Sequence, residues 1–163
     1  MSDTKEAGKL DKPNSIPWPP IIYGSAIIGG WLLGRFYGLP WPIGTIGEMG
    51  FMLGLILVAI AIFIDVRTYL ELKKHKTTIL PHKGAAHLVT SGPFSLSRNP
   101  IYVSNTLLTF GIGFASSNVW LFATGLMAAF LTHRLAILRE EKHLALKFGS
   151  EWRKYAKRVR RWI

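Results

Sequence analysis

The sequence predicts an all-α fold, a polytopic membrane helical bundle of about four transmembrane helices with a C-terminal amphipathic helix. Three observations predict it. Of the 163 residues, 49% are hydrophobic and only 18% charged, too apolar for an ordinary soluble domain. Two long stretches, from Pro13 to Gly34 and from Asn99 to Thr132, carry no charge at all. The net charge of +11 is the excess of two segments, +4 in residues 65–98 and +7 from Arg134 onward.

The elements follow from charges and breakers. Residues 1–17 form a polar tail, mixed in charge and rich in Pro, unlike the short basic start of a cleavable signal peptide. The first span is therefore expected to stay in place, as part of one membrane domain over 18–163. About 20 apolar residues in a helix cross a bilayer core of roughly 30 Å. This places a first span over about 20–37 and a second over about 44–66, interrupted only by Glu48. The stretch 99–132 is too long for one crossing, and Ser116, Ser117 and Asn118 in its middle read as a tight turn. It becomes a hairpin with spans over about 100–115 and 119–138. Each half is short, so the fourth helix is expected to run out of the membrane into its charged end.

Small residues recur at Ala26, Gly30, Gly34 and Gly38, and again at Gly50 and Gly54, a spacing that lets membrane helices approach closely. Trp18, Tyr37, Trp41 and Trp120 read as an aromatic belt at the interfaces. In the interfacial tail 139–163, Gly149 suits a left-handed cap ending one helix, and Ser150 suits the start of the next. There Trp152, Tyr155, Ala156, Val159 and Trp162 share a face opposite Arg and Lys, predicting an amphipathic helix that either covers the site or anchors the chain.

Because both basic segments lie on one side of such a bundle, the N- and C-termini are expected on the cytoplasmic face. Attraction to anionic lipid then accounts for the basicity, and no soluble reading surface for nucleic acid is present. There is no cysteine, which removes disulfides, thiol nucleophiles and prenylation. The five histidines, His75, His82, His87, His133 and His143, never fall into a metal-binding i, i+4 pair, so no metal site is expected. No Gly-x-Gly-x-x-Gly follows a strand.

Two patches carry unusual chemistry. The first is LVTSGPFSLSRNPIY, residues 88–102. Gly92 and Pro93 set a turn, and Asn99 before Pro100 reads as a side-chain cap on a helix that Pro opens. Capping leaves unexplained why His87, Thr90, Ser91, Ser95, Ser97, Arg98 and Tyr102 gather at the bilayer surface. Irregular polar backbone at that depth is tolerated where it packs in protein or lines a cavity. A helix start also offers N–H donors to an anionic group. The second patch, Arg139-Glu140-Glu141-Lys142, ends the hairpin on the same membrane face. One patch suits an anion and the other a cation, so a ligand with both, such as the amino-acid end of a methionine derivative, fits between them.

HLVTSGPFSLSRNPIY, followed from Arg139 by REEKHLALKFGSEWRKYAKRVRRW, resembles the integral-membrane methyltransferases of the isoprenylcysteine carboxyl methyltransferase and phospholipid N-methyltransferase superfamily. Their pattern is roughly L-V-T-x-G-P-[YF]-x-x-x-R-H-P-x-Y, a helical hairpin, Glu-Glu, and F-G-x-x-[YW]-x-x-Y. The resemblance covers the C-terminal half. It implies S-adenosyl-L-methionine as cofactor, held by the loop 86–102 and the acidic pair. Carried over by position, Ala86, His87, Leu88 and Val89 would line the cofactor, with Phe94 at the aromatic position, then Asn99, Pro100, Ile101 and Tyr102, with Glu140 and Glu141 as the acidic contacts. Asn99 stands where the family has histidine, so no titrating group is available there. The ending V-R-R-W in place of V-P is a second departure.

Methyl transfer from a sulfonium is an in-line displacement that depends chiefly on positioning. A carboxylate acceptor needs no base; an amine or phenol would, and only His87, Tyr102 or the acidic pair offer one. The acceptor is expected to be lipophilic, an isoprenylcysteine-type carboxylate, a phospholipid amine or another hydrophobic molecule, with Arg98 and Arg134 steering an anionic headgroup. Two other functions fit the pattern: an NADPH-dependent reductase like the membrane sterol reductases, and a non-catalytic membrane scaffold.

Overall fold

The computed structural model describes residues 16–41, 45–76 and 87–163. Most of the polar tail, the residues just after Trp41 and Ala86 of the expected cofactor loop lie outside the described residues. All regular structure among the described residues is helical. Helix α1 spans Trp18–Phe36, α2 Thr45–Lys74 and α3 Pro100–Ala115. Helix α4, Trp120–Thr132, passes through a π-helical turn, His133–Ile137, directly into α5, Leu138–Arg158.

One helix runs beyond its expected span. The second helix does not stop near residue 66 but runs to Lys74, because Arg67, Glu71, Lys73 and Lys74 are good helix formers and no breaker intervenes. The fourth does continue into its charged end, as one rod with a kink at Gly149. Gly149 has φ 52° and ψ −114°, non-helical values open in practice to glycine alone, so two helical stretches meet there as expected, although ψ departs from that of a left-handed cap.

Among the described residues, two helices are long and apolar enough to cross a membrane, Gly47–Lys74 and Trp120–Arg158. The apolar part of the second ends at Leu138, before the run of charges. Helices α1 and α3 are shorter, 19 and 16 residues, or roughly 28 and 24 Å at 1.5 Å per residue. Packing is strongest between α2 and α3 and between α1 and α4, while α3 also meets α4. The order across the bundle is thus α2, α3, α4, α1. Bulky apolar side chains face outward on several helices, including Ile28, Phe36, Phe63 and Leu126 at 62%, 72%, 64% and 62% exposure. An apolar surface of this extent suits lipid rather than water.

Small residues set the crossings. A methyl group placed on Gly54 would lie 2.5 Å from the Ala115 backbone nitrogen and 2.7 Å from the Gly111 oxygen. On α1, Gly30 faces Leu121 and Thr124, and Gly34 faces Asn118. Gly38, expected in the same stripe, meets no neighbouring helix. Gly54→Val is therefore expected to destabilise the protein by about 1–3 kcal/mol, since backbone cannot move aside as a side chain can. Gly24 has open space around it, so Gly24→Ala should leave the unfolding temperature in detergent unchanged or slightly higher. Equal behaviour of the two variants would refute the crossing.

The turn at 116–118 also forms as expected, with Ser117 at φ 52°. The Asn118 amide donates to the Gly30 carbonyl at 2.9 Å, and its oxygen accepts the Trp120 N–H at 3.0 Å, stapling the hairpin tip to α1. Nearby the Trp120 indole donates to the Tyr37 carbonyl at 2.6 Å, and Trp41 stacks on Phe122. Three of the four belt aromatics therefore meet at one end of the bundle. The starts of α1 and α3 and the end of α2 come together at the other.

Candidate functional site

At that second end, the chain before α3 is tied down at each step. Leu88 packs on Trp152, Tyr155 and Val159 of the tail, and Val89 is buried. Gly92, at φ 59°, opens a short 3₁₀ turn, Gly92–Ser95, against α2. Ser91 donates to Glu71 at 2.5 Å, joining this loop to the last turns of α2, where His75 also reaches Glu71 at 3.2 Å. The Phe94 carbonyl accepts the Tyr155 hydroxyl at 2.7 Å. The amphipathic face of the tail helix is thus spent on protein: Trp152, Tyr155 and Val159 are buried while Arg153, Lys154, Lys157 and Arg158 are exposed.

Helix α3 then begins at Pro100, but not by the expected side-chain cap. Asn99 occupies the cap position with no side-chain bond to the helix. Its backbone carbonyl accepts the N–H groups of Tyr102 and Val103, and its own N–H is taken by Ser97 Oγ at 3.1 Å. The side-chain amide instead donates to the Arg161 carbonyl at 2.8 Å. Pro100 is buried, and the Ile101 carbonyl accepts the Ser104 hydroxyl.

One turn into α3, the Tyr102 hydroxyl donates to Glu140 Oε1 at 2.8 Å. This joins the two patches across the hairpin. Burial is the main cause that pushes the Glu140 carboxyl above the usual glutamate range, with the neighbouring Glu141 acting in the same sense against the Tyr102 hydrogen bond. Among the described residues no Lys, Arg or His lies within ion-pair distance of Glu140. A partly buried carboxylate with a hydroxyl but no cation is incomplete by itself.

Glu141 is in the opposite situation. Arg161 grips both its oxygens, at 2.9 and 2.7 Å, and Arg98 approaches at 3.2 Å while lying over the Trp152 ring. Arg98, expected to steer a headgroup, is turned inward, with 12% of its side chain exposed. Arg134 is exposed beside Phe130. His87 is exposed and lines, with Leu88, a cleft of about 420 Å³ whose other walls are Lys74, His75, Lys76, Phe148 and Glu151. That volume lies within the roughly 300–1,000 Å³ of small-molecule sites.

The structure therefore brings Tyr102 to Glu140, and Arg98 and Asn99 to the tail; it places Ala86 outside the described residues. Two contributors were missed in the sequence. Arg161 reads there as one more basic tail residue, with no pattern marking it as the partner of Glu141. His133 lies at the start of the π turn with a buried Nδ1 that has no hydrogen-bond partner among the described residues, and π turns inside helices concentrate at functional sites. Among the described residues no group of three His, Asp or Glu side chains is placed to hold a metal ion.

Residues 49–151 match the family model described as phospholipid methyltransferase. The chain is 36% identical over 75 residues to the nickel-cobalt-cadmium resistance protein NccN of Alcaligenes xylosoxydans xylosoxydans, covering 46% of this chain and 35% of that protein. It is 39% identical over 72 residues to the cobalt-zinc-cadmium resistance protein CzcN of Cupriavidus metallidurans, covering 44% of this chain and 33% of that protein. The matched region thus spans about a third of the length of these curated relatives. No solved structure matches the chain.

Proposed function

The chain belongs to the phospholipid methyltransferase family, and from that membership we propose that it is a multi-pass membrane methyltransferase that uses S-adenosyl-L-methionine and acts on a lipophilic acceptor. In this reading the four helices α1 to α4 cross the bilayer, with both termini on the cytoplasmic face. The observation that carries the reading is the Tyr102–Glu140 pair: a carboxylate, oriented by a hydroxyl and lacking a cation, at the start of the helix that follows the hairpin. An amino-acid ammonium group is the ligand element that completes it.

When bound, S-adenosylmethionine supplies an electrophilic methyl group on a sulfonium sulfur. The chain's own work is orientation. Tyr102 holds Glu140 at one oxygen and leaves the other for the ligand ammonium; Leu88 and the exposed His87 border a separate cleft that neither Tyr102 nor Glu140 lines. The acceptor arrives laterally from the lipid, and Arg134, exposed at the membrane surface, is the side chain left to meet an anionic headgroup. Calorimetric titration of the detergent-purified protein with S-adenosylhomocysteine and with NADPH tests the reading. Binding of the first supports it, binding of NADPH alone supports a reductase, and binding of neither leaves a scaffold.

The state of Glu140 adds a pH dependence. A cation is held by the ionised carboxylate, so affinity for S-adenosylhomocysteine should fall as pH drops through the raised Glu140 value, at a higher pH than for an ordinary glutamate. For the ligand-free protein the sign reverses: the folded state binds the proton more readily than the unfolded one, so stability falls as pH rises across that window. Titrations between pH 5 and 8 should show the affinity trend in the wild type and not in Glu140→Gln; the same slope in both would assign it to another group.

A further inference from the structure

The last residues of the chain fold back on the start of α3. After α5 ends, Val159 turns extended and the chain runs beside residues 97–99. The Arg98 N–H donates to the Arg160 carbonyl at 3.0 Å. The Arg161 carbonyl receives the Asn99 amide at 2.8 Å and, more weakly, the Ser97 hydroxyl at 3.4 Å. From the same residue, the Arg161 guanidinium reaches back to both oxygens of Glu141. Backbone and side chain of Arg161 are therefore held at opposite ends, one on the α3 start and the other on the α5 start.

We propose that residues 159–161 form a strap over the site and that Asn99 is its positioning residue, acting through Arg161 on Glu141. The chemistry explains the residue type. The partner is a carbonyl oxygen, so position 99 must present a donor; Asn has one, and so has a neutral imidazole. Capping α3 would use the amide oxygen as acceptor, so the amide nitrogen is available to the Arg161 carbonyl in either case. With the strap closed, Glu141 is neutralised by Arg161 and Arg98. Glu140 is then the one member of the acidic pair left to face a cation. The pair divides into a ligand-facing carboxylate and a strap-holding one. With the strap open, Glu141 keeps Arg98 and loses the two-point grip of Arg161.

The ligand readout rests on the function proposed above; a second readout does not. Hydrogen exchange on peptides covering 95–102 reports the Arg98 amide, which the strap protects. Asn99→Leu keeps the branched shape and removes the donor, so exchange at Arg98 should quicken by about fivefold or more, the equivalent of one lost hydrogen bond. Affinity for S-adenosylhomocysteine should weaken by about the same factor. Asn99→His should restore both to near wild type, which a merely space-filling role does not predict. Removal of residues 160–163 should reproduce Asn99→Leu, and serves if that variant fails to fold. Unchanged exchange in both Asn99→Leu and the truncation overturns the strap, as does Asn99→His behaving like Asn99→Leu. If the wild type binds no S-adenosylhomocysteine, the methyltransferase reading fails while exchange still decides the strap.

Discussion

Glu140→Gln is expected to weaken S-adenosylhomocysteine binding by about 10- to 150-fold, the cost of exchanging a charge-assisted hydrogen bond for a neutral one or for a mismatched amide. The substitution keeps the shape and the ability to accept the Tyr102 hydroxyl. What it removes is the negative charge, in a place where no protein cation already balances it among the described residues. Tyr102→Phe should act in the same direction but less, because the carboxylate survives and loses only its orienting partner. Calorimetry on both variants checks the order. A Glu140→Gln protein that binds as the wild type does would remove Glu140 from the site. The same variant should fold at least as stably as the wild type in the absence of ligand, since it buries no net charge.

Glu141→Ala should do the reverse, and this is the largest stability effect the structure predicts. Removing it leaves Arg98 with an uncompensated charge in a place where 12% of its side chain is exposed. Breaking a buried pair in this way costs about 3–5 kcal/mol. Arg161, with 36% of its side chain exposed, can turn toward water and suffers less. Thermal unfolding in detergent should show a large drop for Glu141→Ala, a smaller one for Arg161→Ala, and partial recovery when Arg98→Leu is added to Glu141→Ala. If all three fall equally, the cluster is not organised around the Arg98 charge. Two neighbouring glutamates thus carry opposite expectations, one for ligand and one for stability.

The helices were readable because the bilayer leaves few alternatives. Uncharged runs of a certain length become helices, and Ser116-Ser117-Asn118 turns because three small polar residues in such a run cannot be accommodated otherwise. The start of α3 at Pro100 and its end at Ala115 follow from the same logic. The length of α2 was less legible: charge marks where lipid ends, not where helical hydrogen bonding ends, and α2 continues past Arg67 to Lys74. The break at Gly149 was visible as a glycine, but its ψ, and with it the angle between the two helical stretches, is not constrained by the residue type.

In the site, the pairing of the two patches followed from the hairpin, and Tyr102 and Glu140 do meet. Partner choice within the patches did not follow. Asn99 has an equal chemical claim to cap α3 and to bind a carbonyl, and only the return of the tail offers that carbonyl. Arg98 and Arg161 are two among twenty basic residues of the chain; nothing local separates them from arginines that stay in solvent.

Composition, charge distribution and the spacing of breakers were sufficient for a helical membrane protein with its polar chemistry gathered at one end, because hydrophobic length and helix capping are properties of contiguous residues. The division of Glu140 from Glu141, the inward turn of Arg98 and the engagement of Asn99 belong to the tertiary structure alone. Each depends on which groups residues 159–161 bring within 3 Å or so of the α3 start, and a hydrogen bond decays over tenths of an ångström, a scale on which residues sixty positions apart are placed only by the packing of the whole chain.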